Sequence, residues 1–188
     1  MTKKSVSQEK IQIFILLMFK EFAYASGGEM RKLQFNQNKV LKLQNVLIRK
    51  MDLEEEEMDF NLVVEKMQSY IKLKGAVQIG PLIQHIKPFV NDDEELDMEI
   101  NLLLQCNNYI HSVEKPYVIE SVQRVSDCMY CRYIGPEEKL KFAYDRINIE
   151  AFENDIELTG ESYTVFVDQN EEEGTIVADV FMPKANED

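Results

Sequence analysis

One carboxylate near the C-terminal end of the chain has neighbours that suggest a chemical role. Residues 175–183 alternate like a β-strand, so Val177, Asp179 and Phe181 share one face. The opposite face carries four apolar side chains: Ile176, Ala178, Val180 and Met182. Apolar surroundings raise the pKa of a carboxyl group, and such a group serves either to recognise a cation or to catalyse proton transfer. The alternative is a solvated face, on which the acid only adds solubility.

A second acid occupies the equivalent position of an internal repeat. The chain aligns with itself without a gap at an offset of 80 residues (179 minus 99), so that Glu99 coincides with Asp179. Other coincident positions are Phe60 with Leu140, Val64 with Tyr144, Met67 with Ile147, Gly80 with Gly160, Ile100 with Val180, and Leu102 with Met182. Glu99 lies between Asp97 and Asn101 on a more polar face, for which plain solvation is again the alternative.

Hydrophobic spacing and turn residues predict the elements that position these acids. Each repeat is predicted as strand, helix, strand and strand, the first at residues 41–105 and the second at 119–184, with a connector at 106–118. Residues 41–184 then form one domain of the α+β class. Both helices would lie on one side of a sheet system, and a concave groove containing Glu99 and Asp179 would lie on the other.

Glycine and proline mark the predicted ends of the two helices. Acids at 54–57 suit the start of the first helix, and Gly75 and Gly80-Pro81 are predicted to end it. Gly135-Pro136 is predicted to open the second helix, with proline in its first turn.

The N-terminal segment is predicted to form a separate helix within residues 1–28. Its run at 11–19 is almost wholly apolar, and a helix from about residue 7 to 24 would be apolar on most faces. Such a helix needs a partner, so we expect it to pack or to form a homodimer. A signal peptide is the alternative, because lysines precede the run, although Lys20 and Glu21 separate it from the small residues beyond.

Composition narrows the classes of function. The chain has 188 residues with 34 acidic and 21 basic side chains, a net charge of −13, which argues against a nucleic-acid surface. The apolar run is too short to cross a membrane. The sequence lacks the common phosphate-loop, dinucleotide and hydrolase motifs, so we expect no cofactor.

The three cysteines indicate a reducing compartment, and we expect the protein in the cytoplasm. Cys128 and Cys131 form a CxxC pair inside a strand-like run, where positions three apart point to opposite faces. No second ligand pair is present, and His85 and His111 lack the spacing for one. We therefore expect no metal site.

Three short motifs carry a resemblance to a known family. They are YIGP at 133–136, GESY at 160–163 and ADVFMP at 178–183. Together with the repeat they resemble the GyrI-like domain, a duplicated strand–helix–strand–strand module that also forms the effector-binding half of multidrug-responsive transcription regulators. The chain also resembles stand-alone GyrI-like proteins of Gram-positive bacteria, some of them encoded beside type VII secretion effectors.

The resemblance implies a site between the repeats that takes amphipathic, often cationic, small molecules. A glutamate on the family's last strand matches Asp179, which is one methylene shorter. The resemblance also implies aromatic residues that stack on the ligand. Four aromatic residues of this chain lie in the corresponding elements: Tyr130, Tyr144, Tyr163 and Phe181. Core packing is the alternative for each of them.

Three functions follow from these observations. The first is a non-enzymatic module that binds an amphipathic or cationic small molecule between the repeats, with no catalytic residue. The second is an accessory or adaptor factor for a protein partner, for example a type VII secretion effector. The third is a hydrolase that uses Asp179 with Tyr130 or Tyr163.

Overall fold

The computed structural model describes residues 32–51, 60–91 and 94–185. Within these ranges the chain forms six strands and two helices, with a short 3-10 turn at Glu137–Lys139. The elements in chain order are β1 (Lys32–Lys50), α1 (Phe60–Leu73), β2 (Gln78–Val90), β3 (Leu96–Cys106), β4 (Tyr117–Pro136), α2 (Lys141–Glu153), β5 (Ser162–Asn170) and β6 (Thr175–Pro183). The predicted helix at residues 1–28 and the acidic run at 54–57 lie outside the described residues.

The six strands close into an antiparallel barrel in the order β1-β3-β2-β5-β6-β4. The predicted α+β class is therefore wrong, since the described residues are mostly strand and carry only two short helices. The cause is the length of β1 and β4, which have 19 and 20 residues and pair from Lys32–Ile134 to Arg49–Tyr117. The pairing of β1 with β4 and that of β2 with β5 join the two repeats at both edges. No open concave sheet is left between them among the described residues.

Alternation along the strands separates an outer face from an inner one. Helix α1 packs outside against a cluster that includes Leu47 and Leu102, and helix α2 packs against one that includes Met129 and Val180. The predicted apolar face of β6 is confirmed as part of the α2 cluster. Neither described helix is long and apolar enough to cross a membrane.

The opposite face of the strands holds a third group of side chains, which we call the interior cluster. Its buried members are Leu41, Leu43, Val46, Ile83, Leu103, Cys128, Tyr163 and Phe181. Ile48, Val125, Tyr130 and Val165 pack against it and are partly buried. These residues alternate with those beneath the helices, so they fill the inside of the barrel.

Two predicted helix boundaries differ from the structure. Helix α1 ends at Leu73, and Gly75 follows in the left-handed region at φ 73°, as a helix terminator does. Gly80-Pro81 does not end the helix but lies inside β2, where the register with β3 shifts between Ile79 and Ile83. Likewise Gly135-Pro136 closes β4, and α2 begins only after the 3-10 turn.

Candidate functional site

Four aromatic rings lie side by side across four neighbouring strands and form what we call the aromatic row. Strand register aligns Tyr130 of β4 with Phe181 of β6, Phe181 with Tyr163 of β5, and Tyr163 with His85 of β2. The Tyr130 and Phe181 ring centroids are 5.0 Å apart. The His85 and Tyr163 rings are stacked at 4.2 Å with an interplanar angle of 3°. Opposite residues in antiparallel strands point to the same face, so all four rings face the interior cluster.

Asp179 lies on the same face, two residues from Phe181, and it is paired. Its Oδ1 accepts a hydrogen bond from the Tyr130 hydroxyl at 2.8 Å and another from Arg132 Nε at 2.7 Å. Its Oδ2 accepts a third from Arg132 Nη2 at 2.7 Å. The Asp179 side chain is 12% exposed and that of Arg132 is 36% exposed. The sequence pattern predicted a single acid among apolar side chains, whereas the structure shows a bidentate ion pair.

The environment of this pair keeps the arginine charged and the phenol neutral. The hydrogen bond to Asp179 raises the pKa of Arg132 beyond its ordinary value. Burial, followed by the hydrogen bond to Asp179, raises the pKa of Tyr130 to about 12. Tyr130 is therefore a hydrogen-bond donor to the carboxylate at neutral pH.

A second polar cluster lies at the His85 end of the aromatic row. Glu161 is 3.3 Å from His85 Nε2 through Oε2, and 3.6 Å from Lys87 Nζ through Oε1. The hydrogen bond with His85 is the main cause that lowers the pKa of Glu161. Glu161 therefore holds the Nε2 edge of the His85 ring, which stacks on Tyr163. Glu161 belongs to the GESY motif, but spacing gave no sign of its partners.

The hydroxyl of Tyr163 has a partner from β4 on the inner face. Gln123 Nε2 donates to it at 3.4 Å, and burial raises the Tyr163 pKa above its ordinary value. Gln123 Oε1 is buried and has no hydrogen-bond partner among the described residues. This leaves one acceptor inside the barrel that can take a donor.

Glu99, the acid at the repeat-equivalent position, does not join Asp179. It contacts Lys50 Nζ at 2.5 Å and accepts a hydrogen bond from Asn101 at 2.9 Å. The hydrogen bond from Asn101, then that from Lys50, lowers its pKa. Glu99 alternates with Asn101 and Leu103 and therefore faces the inside of the barrel. The Lys50 side chain is 63% exposed, so the pair lies at the open end of the barrel, away from Asp179.

Tyr144 is also separate from the aromatic row. It packs on the α2 cluster, and its hydroxyl is hydrogen-bonded to Thr164 Oγ1. Thr164 is opposite Val180, which belongs to the outer face. Of the six predicted binding residues, the structure brings together Asp179, Tyr130, Phe181 and Tyr163, and it places Glu99 and Tyr144 elsewhere.

The two cysteines of the CxxC pair lie on opposite faces of β4. Cys128 belongs to the interior cluster and Cys131 to the α2 cluster. Burial raises the pKa of each thiol to about 11. Within the described residues no three His, Cys, Asp or Glu side chains lie close enough to hold a metal ion.

Two shallow clefts open on the outer surface of the described residues, away from the aromatic row. One, of about 580 Å³, lies on α1 and is lined in part by Leu62, Tyr70, Leu73 and Tyr117. The other, of about 650 Å³, lies around Pro136, Glu137, Glu138, Glu173 and Gly174. Neither of these two clefts is lined by a residue of the interior cluster.

Comparison with known proteins gives a fold but no family. No family model and no curated protein matches the chain. A cryo-EM structure of an EcmrR–DNA complex is similar with a TM-score of 0.56 and 14% identity, over 98% of this chain and 67% of that one. The crystal structure of the EcmrR C-terminal domain is similar with a TM-score of 0.53 and 14% identity, over 84% of this chain and 98% of that one. The chain thus shares the fold of the EcmrR C-terminal domain.

Proposed function

We propose that this protein is a non-enzymatic, GyrI-like ligand-binding module that takes an amphipathic small molecule against the aromatic row, with Asp179 as the charged group. The observation that carries the proposal is one carboxylate, 12% exposed, beside four interior rings. Aromatic faces bind planar apolar groups, and a carboxylate beside them adds attraction for a positive charge. The unpaired Gln123 Oε1 supplies an acceptor for a ligand donor.

The two repeats are the halves of the binding domain in this proposal, with residues 41–105 and 119–184 joined by the connector at 106–118. Each half contributes three strands and one helix in the same order. Gly80 and Gly160 coincide in the repeat and both have positive φ, 73° and 86°.

The test is a thermal-shift comparison of a cationic and a neutral ligand with the same ring system, 10-methylacridinium and acridine, at mildly alkaline pH. A ligand that binds the native state at about 100 times its Kd raises the midpoint of a domain of this size by about 5–10 °C. We expect both compounds to stabilise the native protein. Asp179→Asn should lose the shift caused by methylacridinium and keep the one caused by acridine.

The matched control is Glu99→Gln, which removes the repeat-equivalent acid outside the aromatic row. It should keep the stabilisation by both compounds. An equal methylacridinium shift in Asp179→Asn and the native protein would show that Asp179 is not the charged group. Absence of any shift with either compound would reject the ligand-binding proposal.

The second candidate is the accessory factor for a protein partner, and exposed apolar side chains favour it. Leu73 is 82% exposed at the end of α1, beside the 580 Å³ cleft, and Phe152 is 79% exposed on α2. A contiguous exposed apolar patch is typical of a surface that binds another protein, and Leu62 and Leu73 line the same cleft on α1. If a second copy of this chain is the partner, Leu73→Glu should weaken self-association in sedimentation equilibrium without lowering the unfolding midpoint, and no acridine compound should bind.

The hydrolase is not favoured by the geometry of Asp179. Both of its oxygens already accept hydrogen bonds from Arg132 and Tyr130. A general base needs an oxygen turned toward the proton that it removes.

A further inference from the structure

The position at which a ligand's positive charge would meet Asp179 is already taken by a side chain of the protein. The guanidinium of Arg132 makes two hydrogen bonds of 2.7 Å to the two carboxylate oxygens. This side-on arrangement is the preferred geometry of an arginine–carboxylate pair. An external cation that approaches the same edge of the carboxylate meets the guanidinium, and the two positive charges repel each other.

The two partners of this pair differ in their access to water. The Arg132 side chain is 36% exposed and that of Asp179 is 12% exposed. Arg132 lies opposite Gln34 on β1, which is exposed, so the guanidinium has a route to solvent. Asp179 keeps the hydrogen bond from Tyr130 when the guanidinium leaves. Displacement therefore moves the arginine and leaves the acid beside the aromatic row.

We infer that Arg132 is the specificity-determining residue of the site, an internal counter-ion that a cationic ligand must displace from Asp179. The inference rests on the proposed function and adds the reason why charge alone does not give tight binding. A cation gains its own contact with Asp179 only by breaking the native ion pair. A neutral ligand stacks on the aromatic row with the pair intact, so Arg132 does not affect its affinity.

The test measures the affinity of methylacridinium and acridine for variants of the full chain by fluorescence titration. Arg132→Met should strengthen binding of methylacridinium by about 10- to 100-fold, since the competing charge is gone. It should leave the affinity for acridine within about twofold. The double variant with Asp179→Asn should lose the gain. The titrations use the same mildly alkaline pH as the thermal-shift comparison.

Two further variants make the result decisive. Arg124→Met removes a positive charge from an exposed position of the same strand and should change neither affinity. Arg132→Lys, which keeps the charge but loses the two-pronged contact, should give an intermediate gain, and it replaces Arg132→Met if that variant shows no cooperative unfolding.

The possible results separate the inference from the proposed function. Unchanged or weaker methylacridinium binding by folded Arg132 variants, with the native protein binding both compounds, overturns the role of Arg132 and leaves the proposed function standing. Failure of every variant to bind either compound overturns both.

Discussion

Replacing Ile147 with alanine is expected to destabilise the protein by about 2–5 kcal/mol, the cost of removing a large aliphatic side chain from a packed core. Ile147 is fully buried between α2 and the outer face of β4 and β6. The alanine variant leaves a cavity between the helix and the barrel, because Ala143 and Ala151 on the same helix face are too small to fill it. The free energy of unfolding in urea gives the measurement.

Ile149→Ala is the matched control, since it makes the same chemical change on the same helix at a side chain that is 51% exposed. It should cost less than about 1 kcal/mol. Equal losses for the two variants would mean that α2 does not pack on the barrel through the face that contains Ile147.

Replacing Asp179 with alanine is expected to destabilise the protein by about 2 kcal/mol, even without a ligand. The change leaves Arg132 and the hydroxyl of Tyr130 without their acceptor. Loss of one partner of a fully buried pair costs about 3–5 kcal/mol, and the exposure of Arg132 lowers the expected value. Urea unfolding of Asp179→Ala, of Arg132→Met and of the variant with both changes measures the coupling free energy between the two side chains.

We expect the double variant to lose clearly less than the two single variants together, with a coupling of about 1–2 kcal/mol. The control cycle uses Lys50 and Glu99, a pair whose lysine is 63% exposed. Its coupling should stay below about 1 kcal/mol, as in other surface pairs. Additive losses at Asp179 and Arg132 would contradict the bidentate pair.

The C-terminal hairpin could be predicted because its signals are local. The alternation of residues 175–183 gives the strand and its buried face, and the acidic, glycine-containing turn separates it from β5. Both helices could be placed from apolar residues three and four apart, and Gly75 follows the first helix as predicted. Gly80-Pro81 and Gly135-Pro136, predicted as helix boundaries, belong to strands. Gly80 lies in a strand irregularity, where positive φ is needed for a reason that spacing does not reveal.

Barrel closure could not be predicted, because it depends on pairing between distant segments. Residues 32–40 are mostly polar, and apolar alternation is confined to Leu33 and Phe35, yet β1 begins at Lys32 and follows β4 along its length. Register shifts after Asn36 and after Lys39 further obscure the period of this strand. The partners of β1 on β4 lie between 68 (117 minus 49) and 102 (134 minus 32) positions away along the chain, so no local pattern records them.

The site was predictable only where its residues belong to one strand, and not where their contacts depend on the pairing of distant strands. Asp179 and Phe181 share a face by alternation within one strand, and this placement holds in the structure. Arg132 was missed because its contact with Asp179 depends on the register of β4 against β6. Sequence spacing bears on His85 only as a possible metal ligand, because its contact with Tyr163 depends on the pairing of β2 with β5.

The measurement that most directly tests the ligand site is NMR of isoleucine methyl groups during titration with methylacridinium. Ile83 belongs to the interior cluster, and it is linked to Asp179 through Val165 on the strand between them. Ile71 and Ile147 are equally buried but lie beneath the helices on the outer face. The aromatic ligand shifts the resonances of methyl groups that it contacts.

If the ligand binds along the aromatic row, the Ile83 methyl resonance moves with added methylacridinium while those of Ile71 and Ile147 stay in place. Movement at Ile71 or Ile147 with an unchanged Ile83 would place the ligand on the outer surface. That result would contradict a binding site inside the barrel.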